Sequence, residues 1–264
     1  MTSEDLKQYF VKNLTAADYY EEDQKFLDNM KVYFEIVLTF IYDVIKSRRF
    51  EGQKLLEIGS GATVHNIASA SAYFPIIVQS DFLEDNCKAL RDWLQGNTML
   101  DWSKFLDIPA RLEKYRGDRD VMIATLESRI RRNVKAVVHC DVHTESILRL
   151  EEVPPEAVPP YDLIISILCF EVTCSNFQEF VGVLRRVNSL LRKGGGILMS
   201  SILGQEDWHV KEKTYLSLKL SLNEILSALD MAGFGHHDIK EFSPMKTHYL
   251  KHYDGYYCVA SEKL

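Results

Sequence analysis

Apolar and polar positions change period along this chain, and the changes mark out its elements. Over residues 1–53 the apolar positions recur at helical spacing. Leu6, Tyr9 and Phe10 follow a start at Ser3-Glu4-Asp5, and Phe26, Met30, Tyr33, Phe34, Val37, Leu38, Ile41 and Ile45 continue the pattern. From residue 54 short apolar runs take over. Leu55-Leu56-Glu57-Ile58, Ile76-Ile77-Val78, Ala136-Val137-Val138, Leu163 to Leu168 and Ile197-Leu198-Met199 read as buried strands of a parallel sheet. Helices are predicted between them: His65 to Ala72, a segment from Leu83, and about Asp120 to Arg132. A further helix runs through Phe177, Phe180, Leu184, Val187 and Leu191 to Lys193-Gly194, and another covers Leu222 to Met231. His237 to Phe242 and Tyr256 to Ala260 have only a loop between them, which predicts an antiparallel hairpin at the sheet edge.

The alternation gives an α/β fold with a mostly parallel seven-stranded sheet, an antiparallel strand near the C-terminus, and helices on both faces. Residues 1–264 read as one domain, with 1–53 as an N-terminal helical lid and 93–134, broken by Pro109 and Gly117, as an insertion before the third strand. Pro154, Pro155, Pro159 and Pro160 predict a stiff connection without a helix.

Composition narrows the function. A hydrophobic fraction of 46% with 26% charged residues is that of an ordinary globular protein. A net charge of -7 argues against a broad nucleic-acid or anionic-membrane surface, and the basic run Arg129 to Arg132 has no interleaved aromatics and reads as a solvated helix face. Five cysteines without a Cys-x-x-Cys spacing point to neither a metal site nor a disulfide framework. The polar N-terminus and the lack of a long apolar stretch predict a cytoplasmic protein, here expected to be monomeric, with no membrane partner.

The candidate chemistry begins where the first strand stops at Gly59-Ser60-Gly61. Glycines there allow a tight turn and close approach of a ligand, and the free N–H groups of a following helix are expected to attract its polar atoms. Asp81 stands about twenty residues on, at the end of the second strand, where an acid can accept from ribose hydroxyls. Asp141 ends the third. The competing reading of both is an acid solvated at a strand end. Val64 occupies the place of the third glycine of a dinucleotide fingerprint, and no hydride-transfer constellation is visible, so an oxidoreductase is disfavoured.

Glu57-x-Gly59-x-Gly61 with the later Asp81 resembles the first motifs of S-adenosylmethionine-dependent methyltransferases, which implies the Rossmann-like class I fold. More specific strings resemble the family of nicotinamide, phenylethanolamine and indolethylamine N-methyltransferases. They are Ala17-Asp18-Tyr19-Tyr20, Ile58-Gly59-Ser60-Gly61-Ala62-Thr63, Asp81 with Asn86, His139-Cys140-Asp141-Val142, and Ser166-Ile167-Leu168-Cys169-Phe170-Glu171. The resemblance implies S-adenosylmethionine as cofactor: Gly59, Ser60, Gly61 and Thr63 along its methionine end, Asp81 and Asn86 at the ribose, Asp141 and Val142 at the adenine, and Tyr19 covering it. His65 is left open between a donor to the cofactor carboxylate and an ordinary helix histidine.

The same resemblance makes Glu171, and Glu206 or Asp207 in the loop after the fifth strand, the candidates to orient or deprotonate the acceptor nitrogen. Tyr20, Ser200, Ser201, Asp207 and Trp208 are the candidate substrate contacts, with a solvated loop as the competing reading for Glu206 and Asp207. Two departures bear on the substrate. Asp23-Gln24 replace a Tyr-Tyr pair of the nicotinamide branch, and Ser200-Ser201 stand where that branch places an Asp. The implied activity is N-methylation of a small amine or pyridine, with an arylalkylamine preferred to nicotinamide. The alternative from another class is a catalytically weak relative that binds the cofactor as a sink or partners another protein.

Overall fold

In a computed structural model, which describes residues 2–98, 100–245, 250 and 252–264, period-two alternation decides which side of the sheet each strand residue covers. The strands are β1 (Lys54–Ile58), β2 (Ile76–Asp81), β3 (Val134–His139), β4 (Tyr161–Ile167), β5 (Leu191–Leu203), β6 (Asp207–Val210), β7 (Lys213–Leu216), β8 (Phe234–Phe242) and β9 (Gly255–Lys263). Seven of them form one sheet in the order β3-β2-β1-β4-β5-β9-β8. The first five are parallel, and β9 runs antiparallel to both β5 and β8.

The helices are α1 (Ser3–Asn13), α2 (Ala16–Lys46), α3 (Glu84–Leu94), α4 (Ser103–Leu112), α5 (Arg119–Asn133), α6 (Phe170–Thr173), α7 (Phe177–Ser189) and α8 (Leu222–Met231). Leu55, Ile77, Leu163, Ile165 and Leu198 pack beneath α2, α3, α4 and α5. Leu56, Val78, Ile164, Ile197 and Met199 pack against α7 and α8 on the other face. Because β1 pairs with β2 on one side and β4 on the other, the chain direction of strand order reverses at β1, and a crevice opens at the carboxyl ends of these strands. Non-helical dihedrals at Met30 divide α2 into a front piece over that crevice and a rear piece on the sheet. No helix among the described residues is long and apolar enough to cross a membrane.

Several local expectations are corrected. Residues 65–72 form no α-helix; turns lead to a single 3-10 turn at Ala70–Ala72. Residues 65–71 are buried, including the polar His65, Asn66 and Ser69, so they offer no solvated face, and the Thr63 and Ser71 hydroxyls bond back to the Ser60 and Ala68 carbonyls. Helix α7 ends at Ser189, not at the glycines. Leu191 already pairs with Tyr161, and a register shift before the Leu163–Gly196 pair takes up the extra residues, with Gly194 at φ 71°.

Pro109 lies inside α4 instead of breaking it, since burial of Phe105, Leu106 and Ile108 among the packed helices outweighs the lost hydrogen bond. The proline connection holds 3-10 turns at Leu150–Glu152 and Pro155–Ala157, the second opened by Pro155 where a missing N–H is harmless. A short loop holding Glu206 follows β5 as expected, whereas Asp207 and Trp208 belong to the β6–β7 hairpin. The reversed strand β9 sits inside the sheet, so of the expected edge hairpin only β8 is at the edge.

Candidate functional site

A cavity of about 390 Å³ occupies the crevice, within the range of small-molecule sites. Its floor is made by Gly59, Asp81, Cys140-Asp141-Val142 and Leu168-Cys169, all at strand ends. The two glycines are needed there. Gly59 and Gly61 have φ of 71° and 58°, and a Cβ at Gly59 would meet the Cys169 Sγ at 2.2 Å while one at Gly61 would meet the Tyr19 ring at 2.9 Å. The amides of the turn itself are already engaged. Gly59 and Ser60 N–H both donate to the Ser80 carbonyl at 2.9 Å, and Gly61 N–H donates to Asp81 Oδ2 at 2.7 Å. No α-helix follows, and the turn holds the floor in shape.

Asp81 is fixed from three sides, since Oδ1 also accepts from Leu83 N–H at 2.9 Å and Asn86 Nδ2 at 3.0 Å. Burial raises its pKa above the ordinary carboxylate value against the pull of those donors. Asn86 Oδ1, on the same wall, is buried with no partner among the described residues. For Asp141, burial pushes upward, but Lys7 at 2.6 Å and the His143 N–H hold the carboxyl below its ordinary value. Val142 lines the wall beside it.

The roof comes from α1, the front of α2 and the β6–β7 hairpin. Phe10 stacks on Tyr215 at 5.3 Å, Tyr215 on Trp208 at 4.7 Å, and the Tyr19 ring stands edge-on to Trp208 at 6.4 Å. Lys211 pairs with Asp18 and Glu21, and Tyr215 donates to the Asn13 carbonyl at 3.0 Å, so the hairpin is tied to both helices. Tyr19, Glu22, Asp23 and Phe26 present one helical face to the cavity. Burial raises the Tyr19 pKa well above its ordinary value, so its hydroxyl stays protonated. Trp208 Nε1 and Asp23 Oδ2 are buried without partners among the described residues, and both residues line the cavity.

Of the residues singled out from sequence, the wall brings together Tyr19, Gly59, Asp81, Asn86, Asp141, Val142, Ser201, Asp207 and Trp208. The others stand elsewhere. Ser60 and Thr63 are buried in the turn behind the floor. His65 stacks on Phe105 at 4.5 Å inside the core, and burial lowers its pKa to about 3, so it is a neutral core histidine. Tyr20 turns away to the Asp101 carbonyl at 3.2 Å and packs on Trp102. Ser200 donates to the Tyr257 carbonyl at 2.7 Å beneath the floor.

Of the acid-base candidates, Asp207 is on the wall, and Glu171 and Glu206 are not. Glu171 is buried behind it and accepts from the Tyr257 hydroxyl at 2.7 Å, its pKa raised by burial. Glu206 is exposed and pairs with Lys219 at 2.8 Å across the hairpin base. The structure adds Lys7, Phe10, Phe26, His143 and Asp23 to the wall. Lys7 and Phe10 carried no motif, whereas Asp23 gave a readable signal as an acid within an aromatic-rich helix.

A profile of the NNMT/PNMT/TEMT family matches residues 1–264. The nicotinamide N-methyltransferase of Homo sapiens is 28% identical over 262 residues, covering 98% of this chain and 96% of that protein. The phenylethanolamine N-methyltransferase of Mus musculus is 30% identical over 208 residues, covering 78% of this chain and 68% of that protein. Among solved structures, magnesium protoporphyrin IX methyltransferase from Synechocystis PCC 6803 with bound SAM superposes with a TM-score of 0.58 at 11% identity, over 99% of this chain and 97% of that one, a likeness of fold.

Proposed function

The chain belongs to the NNMT/PNMT/TEMT family, and with it to the S-adenosylmethionine-dependent N-methyltransferases, and from that footing we propose that its acceptor is a small cationic amine on an aromatic or apolar body. The observation that carries this reading is the charge of the wall. Glu22, Asp23, Asp81, Asp141 and Asp207 line the cavity, and Lys7, the one lysine on its wall among the described residues, is paired with Asp141. A site of that sign concentrates cations, while Phe26, Tyr19 and Trp208 supply apolar surface for the rest of the molecule.

The residues present fit the cofactor. Asp81 beside the unpartnered Oδ1 of Asn86 offers acceptors for two ribose hydroxyls, and Asp141 with Val142 suits an adenine amino group and ring. Bound there, the cofactor supplies an electrophilic methyl group on a sulfonium. The chain's own contribution is to orient an amine in line with that methyl and to exclude water with α1 and the hairpin. An amine must also lose its proton, and a wall carboxylate such as Asp207 takes that proton through water. Glu206, turned to solvent, and Glu171, behind the wall, do not contact the acceptor in this reading. Nicotinamide carries no ammonium group and gains less from five wall acids.

The test is methyl transfer from labelled S-adenosylmethionine to nicotinamide, pyridines, phenylethylamines and tryptamines, with cofactor binding followed by calorimetry. Turnover of the amines and little of the pyridines is expected. Turnover confined to neutral pyridines would reverse the substrate class, and tight cofactor binding with no turnover would favour a cofactor-binding relative instead.

A further inference from the structure

Asp23 differs from the acids around it. On the front of α2, Glu22 pairs with Lys25 at 3.3 Å, while Asp18 and Glu21 share Lys211. Lys7, on the cavity wall, is held by Asp141 at 2.6 Å. No cation reaches Asp23 among the described residues, and its Oδ2 is buried with no hydrogen-bond donor. An acid left in that condition is costly, because it has lost water without gaining a partner.

Its position explains what could satisfy it. Asp23 lies one helical turn after Tyr19, whose ring rests over Gly61, and three residues before Phe26, and all three side chains line the cavity. Asp23 thus lines the cavity between the glycine turn and the aromatic roof. Resting on the family reading above, we infer that Asp23 is an ammonium-recognition residue, whose carboxylate receives the protonated nitrogen of a ligand bound in this cavity. Two groups have that chemistry: the α-ammonium of the cofactor's amino-acid end and the acceptor amine before it loses its proton. The contact joins opposite charges away from water, the situation in which a charge-assisted hydrogen bond is strongest. Burial and the neighbouring Glu22 raise the Asp23 pKa well above its ordinary value, a penalty that a bound ammonium relieves.

The test compares the wild type with Asp23→Asn by calorimetry on two pairs of probes. S-Adenosylhomocysteine against 5′-deoxy-5′-methylthioadenosine, which lacks the amino-acid end, reports on the cofactor ammonium. β-Phenylethylamine against 2-phenylethanol, each added to protein saturated with S-adenosylhomocysteine, reports on the acceptor. The wild type should prefer the ammonium-bearing member, and Asp23→Asn should shrink that preference by roughly tenfold or more in the pair that Asp23 serves. Binding of the two neutral probes should stay unchanged, and the unliganded variant should melt no lower than the wild type, which separates recognition from a structural role. A preference that survives the substitution in both pairs, or is missing from both in a wild type that binds S-adenosylhomocysteine, overturns the inference. A wild type that does not bind S-adenosylhomocysteine at all removes the family reading of the cavity and this inference with it.

Discussion

Lys7 Nζ lies 2.6 Å from Asp141 Oδ2, an ion pair that joins the roof helix α1 to the end of β3 across the mouth of the cavity. Both side chains are only 18% exposed, so the pair is less screened than a surface one. Below it the roof is aromatic packing, which tolerates small displacements, whereas the ion pair fixes where α1 sits.

Lys7→Ala should therefore loosen α1 without unfolding the sheet. A partly buried pair of this kind contributes about 1 kcal/mol, so amide exchange over residues 3–13 should quicken about fivefold. Exchange in the strands should not change. Equal protection of α1 in the two proteins would show that the aromatic stack alone holds the roof.

The same pair sets a pH dependence. Burial pushes the Asp141 carboxyl upward, but Lys7 and the His143 N–H outweigh it, so its pKa with α1 seated lies below the ordinary 3.8. A depressed carboxylate gives stability that is fully present above its ordinary pKa and is lost as pH falls through the depressed value. Protection of α1, corrected for intrinsic exchange, should thus fall below about pH 4 in the wild type and fall less in Lys7→Ala. An identical decline in both would assign the acid sensitivity to another group.

Glu171 leads to the opposite sign. Burial raises its carboxyl above the ordinary 4.5, despite the hydrogen bond from Tyr257. The folded state then binds the proton more tightly than the unfolded one, and stability declines as pH rises from the ordinary value through the raised one. Glu171→Gln has no proton to lose and should escape that decline, so its melting temperature relative to the wild type should rise from pH 4 to pH 8. Tyr257→Phe removes the donor to a buried carboxyl and should cost about 1–3 kcal/mol. A Glu171→Gln protein with an unchanged melting profile but no methyl transfer would return Glu171 to the acceptor site.

These residues also show where the sequence is readable and where it is not. Asp81 and Asp141 follow apolar runs, and a parallel strand has little choice about where its carboxyl end points, so their placement could be inferred from pattern alone. The sheet was legible for the same reason. His65 could not be placed, because its direction depends on a segment that forms no regular helix and whose residues 65–71 are all buried. Glu206 could be read either as a site acid or as a solvated loop residue, because its partner, Lys219, approaches only when β6 and β7 pair. Lys7 is one lysine on an amphipathic helix, and only the docking of that helix brings it to Asp141.

The contact between Gly61 and Tyr19 can be tested apart from the backbone conformation that also favours glycine there. At φ 58° any other residue is strained, by about 1 kcal/mol for alanine. The new Cβ also comes within 2.9 Å of the Tyr19 ring, so Gly61→Ala must displace the side chain that covers the turn. Its cost should then have two parts, of which only the backbone part survives once the ring is gone. In a double-mutant cycle Gly61→Ala should destabilise the wild type more than it destabilises Tyr19→Ala, and the difference measures the ring contact. Cofactor affinity should follow the same cycle, because the displaced ring no longer covers the cavity. If Gly61→Ala is equally damaging in both backgrounds, the glycine answers only to its dihedral angle and the front of α2 does not rest on the turn.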